Sequence, residues 1–124
     1  MKIILKGQVR GGKNNMGVTR SGIHYPKPDF VKWRTLTMSQ ILGQRPMSFK
    51  PIDNGNYHWD FQYIPEDNRR RDMPAILDAV FHCLEKAQIV TDDRWIKNMH
   101  YRECHPDKHN AGMIIDVVAI TELV

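Results

Sequence analysis

Two segments of the chain repeat their apolar residues at the helical period. From Pro28 to about Leu42, Phe30, Val31, Trp33, Leu36, Ile41 and Leu42 fall mostly on one side. Pro28 and Asp29 suit the opening, and Gly43 and Pro46 close the run. A second helix is predicted after Asp72, with Ile76, Leu77, Val80, Phe81 and Leu84 as its apolar stripe. Pro74 belongs in a first turn, where a missing N–H is not needed, and Asp72 can accept the free N–H groups as an N-cap.

Elsewhere the period is two. Tyr57, Trp59, Phe61 and Tyr63 alternate with His58, Asp60 and Gln62, which predicts a half-buried strand. Its aromatic face is either core or a platform on which bases stack; core is the plainer account, because a helix has to cover some face of the sheet. Ile3 to Leu5 reads as a short strand and Gly7 to Pro28 as a Gly-, Asn- and Lys/Arg-containing loop. After the second helix come a turn (Gln88 to Asp93), a strand-like run (Trp95 to Glu103), a polar connection (His105 to Gly112) and a β-branched strand (Met113 to Leu123). The last two strands are expected to form a hairpin.

At 124 residues the chain is expected to be one domain, 1–124, able to bury roughly two-thirds of its unfolded surface. Cys83 falls among the core positions of the second helix, so it and Cys104 read as reduced thiols. That suits a cytoplasmic protein. No run is long enough for a signal peptide or a membrane span.

Charge changes the picture. Residues 1–50 carry ten Lys or Arg against one acid, Asp29, a net +9, whereas residues 51–124 carry eight basic and thirteen acidic side chains, a net −5. A segregated basic half suits a polyanion, whose condensed counterions are released on binding; an unevenly charged solvated surface is the bland alternative. Arg69-Arg70-Arg71 immediately precedes Asp72, and Asp92-Asp93 follows the second helix. Three adjacent guanidiniums call for an anion, either phosphate or the nearby Glu66 and Asp67. The carboxylates could hold a divalent cation, but Asp72 also fits a plain cap, Asp92-Asp93 a plain turn, and Asp78 a solvated pair with His82. On an ideal helix six residues turn through about 600°, so Asp72 and Asp78 diverge by about 120° unless Asp72 is a non-helical cap. His100, Cys104, His105 and His109 have spacings looser than zinc sites use, and solvated loop histidines account for them.

The run Arg69-Arg70-Arg71-Asp72, an amphipathic helix with Ala79, Phe81 and Leu84, then Lys86-Ala87 and Asp92-Asp93, resembles the central motif of the RusA family of Holliday junction resolvases. The N-terminal part is similar too, in Lys6-Gly7, Lys13-Asn14-Asn15, Arg20, Gly22, Tyr25 and Trp33. The resemblance implies an α+β fold, a two-layer mixed sheet with two main helices. It also implies a homodimeric, Mg²⁺-dependent (Mn²⁺ also possible) endonuclease that nicks four-way DNA junctions in phage or bacterial recombination and repair. Asp72 and Asp93 carry over by position and, with Asp78 as a replacement ligand, are the catalytic candidates; Asp72, Asp78, Asp92 and Asp93 are the metal-ligand candidates. Lys13, Asn14, Arg20, Lys27, Arg69, Arg70 and Arg71 are the DNA-binding candidates.

The chain departs from the family pattern Asp-x-Asp-Asn-x-x-Lys-x-x-x-Asp-x-Leu. Its second Asp falls on Pro74, its Asn on Ala75, its Lys on Asp78 and its last Asp on His82. Asp78 then becomes the nearest replacement ligand. Two other classes stay open: a junction-binding protein without catalysis, which Pro74 and the absent Lys favour, and an unrelated basic domain for RNA or DNA whose acids only cap and turn.

Overall fold

The computed structural model describes residues 1–9 and 16–123. The elements in order are β1 (Lys2–Lys6), β2 (Met16–Val18), β3 (His24–Pro26), α1 (Pro28–Gln44), β4 (Tyr57–Ile64), α2 (Met73–Lys86), β5 (Asn98–Glu103) and β6 (Gly112–Ala119), with 3-10 turns at Asp93–Trp95 and Ile120–Leu123. The fold is α+β: a mixed four-stranded sheet in the order β1-β6-β4-β5, a separate two-stranded sheet of β2 and β3, and two helices.

Alternation in the strands builds the layer boundary. Ile3, Ile115, Phe61 and Tyr101 lie in one row across the sheet, and Leu5, Met113 and Tyr63 in the next but one. These side chains share a hydrophobic cluster with Ile41 of α1 and Ile76, Leu77, Val80, Cys83 and Leu84 of α2. Both helices therefore contribute to the core beneath one face. The opposite face carries the row Lys2, Asp116, Asp60 and His100. Trp59, Phe61 and Tyr63 are fully buried, so the aromatic strand is core and not a stacking platform.

The expected hairpin of the last two strands does not form. β4 separates β5 from β6, pairing parallel with β5 and antiparallel with β6. Burial explains the routing. Met113, Ile115 and Val117 are buried in β6, which therefore takes a central position, whereas β5 buries no residue fully and takes the edge. A parallel neighbour requires a crossover, and α2 supplies it between β4 and β5. The polar connection passes the end of β4 instead of turning tightly: Cys104 N–H donates to Tyr63 O at 2.7 Å and Asp107 N–H to Pro65 O at 2.9 Å.

The Gly7 to Pro28 segment is likewise more than a loop, since β2 and β3 pair within it, Gly17 opposite Tyr25. Its turn is closed by Gly22 at φ +86°, where a side chain would be strained. α1 runs past Gly43 to Gln44 and stops at Arg45 (φ −76°, ψ 123°), the extended conformation that Pro46 imposes on the residue before it. Trp95 lies in a 3-10 turn and β5 begins only at Asn98, while β6 ends at Ala119.

The outer edge of β1 is closed by side chains. Gln44 accepts from Ile4 N–H at 2.8 Å and donates back to Ile4 O at 2.8 Å; Gln40 accepts from Lys6 N–H at 2.7 Å and donates to Lys6 O at 3.3 Å. Two amides one helical turn apart thus stand in for a neighbouring strand. Among the described residues no helix is long and apolar enough to cross a membrane.

Candidate metal and nucleic-acid site

The stripe that buries one side of α2 leaves a polar side facing α1. Along that side the helical period brings Asp78, His82 and Glu85 into line. Asp72, Asp78, Glu85 and Asp93 line one open groove of about 790 Å³, whose other wall includes Phe30 and Arg34 of α1; His82 lines it as well.

Asp72 joins this groove because it is not helical. It is the N-cap of α2 (φ −87°, ψ 98°), and its carboxylate accepts from Ala75 N–H at 3.5 Å. Its extended backbone takes Asp72 off the helical spiral, and Asp72 and Asp78 line the same groove. Capping employs Oδ1, which leaves the second oxygen for the groove.

The tightest carboxylate group sits at the far end. Ligand oxygens of Glu85, Asp92 and Asp93 lie within 4.8 Å of one another. Backbone donors fix two of them: Asp93 N–H donates to Glu85 Oε1 at 3.0 Å and Arg94 N–H to Asp92 Oδ1 at 2.9 Å. Asp93 is held above the ordinary aspartate pKa, first by desolvation, then by the charges of Glu85, Asp92 and Asp78, and last by a hydrogen bond with Asp92. Asp93 is exposed, and the crowding by like charges is what a bound cation would relieve. Three hard oxygen donors at this spacing fit Mg²⁺ or Mn²⁺, which take carboxylates and retain several waters.

Of the four ligands expected, Asp92 and Asp93 belong to this triad, while Asp72 and Asp78 stand along the same groove outside it. Glu85 is the member of the triad that was not among the expected ligands. Its signal was its place seven residues after Asp78, two turns along the same helix face. The pairing of Asp78 with His82 does not form among the described residues, and the Asp78 charge adds to those that raise Asp93.

The basic candidates divide. Arg71 Nη2 lies 2.7 Å from Asp67 Oδ1, and Arg69 Nε lies 3.6 Å from Asp67 Oδ2. Asp67 is held below the usual carboxylate range by the Arg69 backbone N–H and then by Arg71. A local acid therefore offsets part of the arginine run, and it is Asp67; Glu66 instead donates its N–H to Gln8. Arg70 is exposed and makes no ion pair among the described residues. Arg20, in the β2–β3 turn, and Lys27, just before α1, are exposed. Lys13 and Asn14 lie outside the described residues. The spacing considered for zinc does not close: His100 Nδ1 meets Asp60 Oδ1 at 3.2 Å, and the triad is the metal-capable group found among the described residues.

Compared with models of known protein families and with curated proteins, the chain matches none.

Proposed function

We propose that this protein is a divalent-metal-dependent endonuclease acting on branched DNA, as its resemblance to the RusA resolvases implies. The observation that carries the proposal is the convergence of Asp72, Asp78, Glu85 and Asp93 on one groove, with Glu85, Asp92 and Asp93 at ligand spacing. Glu85 supplies the carboxylate that Pro74 removes, which favours an active enzyme over a silent binder.

Glu85, Asp92 and Asp93 would hold Mg²⁺, which when bound neutralises charge on the phosphodiester and lowers the pKa of water. Asp78 adds negative potential beside them, and Asp72 orients the entry to α2 while presenting its remaining oxygen to the groove. Arg70, Arg20 and Lys27 supply exposed cations for the backbone of the duplex arms, a sequence-independent and salt-sensitive contribution. A four-way junction has two-fold symmetry and needs paired incisions, so the working form is a homodimer, acting in the cytoplasm of a bacterial or phage-infected cell.

The test is cleavage of a labelled four-way junction in Mg²⁺ and Mn²⁺, with linear duplex as control. Wild type should nick the junction, and Asp93→Asn and Glu85→Gln should abolish nicking while keeping binding. Nicking by both variants at the wild-type rate would place the site elsewhere. Tight binding by wild type without nicking in either ion would leave the silent binder as the correct reading.

A further inference from the structure

We propose that Arg34 grips the phosphate that enters the acidic groove, from the wall opposite the carboxylates. The assignment deepens the nuclease reading and rests on it, but its decisive measurement is one of binding.

Arg34 projects from α1 into the groove lined by Asp72, Asp78, Glu85 and Asp93. A guanidinium facing four carboxylates would ordinarily pair with one of them. Here Arg34 forms no ion pair within 4.0 Å among the described residues, whose pairs involve only Arg69, Arg71 and His100. It is held instead by an aromatic platform: its Cζ lies 5.7 Å from the Phe30 ring centroid, and Phe30 is itself stacked on Trp33 at 5.7 Å. Phe30 is buried, so the platform is anchored in the fold.

Stacking leaves the edge of a guanidinium free, and that edge carries its N–H donors in a fork matched to two phosphate oxygens. Loss of freedom on binding is reduced because the side chain is already supported by Phe30. The electrostatics of the groove also require such a group. Four carboxylates on one wall repel a phosphodiester, and a divalent cation at the triad offsets that repulsion only at one end. A fixed positive charge across the groove lowers the repulsion met by a DNA strand at the other end and favours one phosphate position beside the carboxylates. Lys32, two residues earlier, does not line this groove, so Arg34 is the one Lys or Arg among its lining residues.

The experiment compares wild type, Arg34→Gln and Arg34→Lys. Junction affinity is measured against salt in Ca²⁺, which supports binding with little cutting, and turnover is measured in Mn²⁺. Losing one phosphate contact should lower the slope of log K against log salt by about 0.9 in Arg34→Gln, while Arg34→Lys keeps the slope. Arg34→Gln should lower kcat on the order of 10²-fold, as loss of one electrostatic stabiliser does, and Lys should restore only part because it cannot bind bidentately. Mn²⁺ affinity, read by electron paramagnetic resonance, should not fall in either variant, since Arg34 holds no metal, and their melting temperatures should match wild type. An unchanged salt slope in Arg34→Gln overturns the assignment, whether or not the wild type cuts DNA. A lowered slope in a protein that never cuts supports Arg34 as the phosphate contact and refutes the nuclease reading alone.

Discussion

Replacing Asp93 with Asn should make the metal-free protein more stable and the metal-loaded protein less so. The ligand oxygens of Glu85, Asp92 and Asp93 lie within 4.8 Å of one another, and unit charges at that distance repel by about 0.9 kcal/mol in bulk water. Asp93 is exposed, so the water limit and salt screening apply, and removing its charge should gain roughly 1 kcal/mol. For a domain of this size that is about 3–5 °C in Tm. The pH dependence follows from the direction of the shift. Asp93 is raised in the folded state, so the fold keeps its stability while the carboxyl is protonated and loses it as pH rises through the folded value. The advantage of Asp93→Asn in EDTA is therefore greatest at neutral pH and fades below the ordinary aspartate pKa of about 3.9. Mn²⁺ at a hundred times Kd should stabilise wild type by about 2.7 kcal/mol and the variant far less, reversing their order. Thermal denaturation followed by circular dichroism, in EDTA and in Mn²⁺ at pH 7 and pH 4, reads all four conditions. If Asp93→Asn melts at or below wild type in EDTA at pH 7, or gains as much from Mn²⁺, the triad does not hold the ion.

Three further outcomes are expected. Asp72→Ser retains a capping oxygen, so stability should fall by less than about 1 kcal/mol while nicking is lost; full nicking activity in this variant would reduce Asp72 to a cap. Burial pushes the Cys83 thiol up to about 11, whereas Cys104 is only partly buried, so a thiol reagent at pH 8 should label one cysteine in the native protein and both in denaturant. Equal native labelling rates would contradict the packing of α2. Replacing both Gln40 and Gln44 with Leu removes four hydrogen bonds to β1; at the low end expected for exposed bonds this should cost roughly 1–2 kcal/mol and promote self-association through the opened edge. Denaturant titration with light scattering checks both effects, and a variant as stable and as monodisperse as wild type would show that the edge needs no cover.

The helices and β4 were legible because their signal is local. The α2 stripe and the Tyr57–Tyr63 alternation each repeat over several residues, and the burial of Val80, Leu84, Trp59 and Phe61 follows them directly. The pairing of β5 was not legible, since adjacency in sequence suggests a hairpin and only the competition for central positions shows that β6 must lie between β1 and β4. β2 and β3, three residues each, are too short to display a period. In the groove, Asp72 and Asp93 could be named from the resemblance and Asp78 as a replacement for the acid lost at Pro74, but Glu85 and Arg34 could not. One lies on a helix face whose partner wall is supplied by another element, and the other looks like an ordinary solvated cation until Phe30 and the carboxylates are seen around it.

The two ends of α2 give different weight to the site's carboxylates. A helix N-terminus carries partial positive charge, so Asp72 is stabilising there for reasons unrelated to any ligand. The C-terminus carries partial negative charge and favours cations. Yet Glu85 stands in the last turn of α2, and the chain returns after the turn to place Asp92 and Asp93 against it. Lys86 is the one basic residue in that turn, and it makes no ion pair among the described residues. Capping and helix electrostatics explain Asp72 without a metal; at the other end Asp92 caps the 3-10 turn and Glu85 accepts from Asp93 N–H, but helix electrostatics runs against gathering three carboxylates there. The unfavourable charge at that end, more than the acid that begins the helix, is therefore the physical reason to look for a divalent cation at Glu85, Asp92 and Asp93.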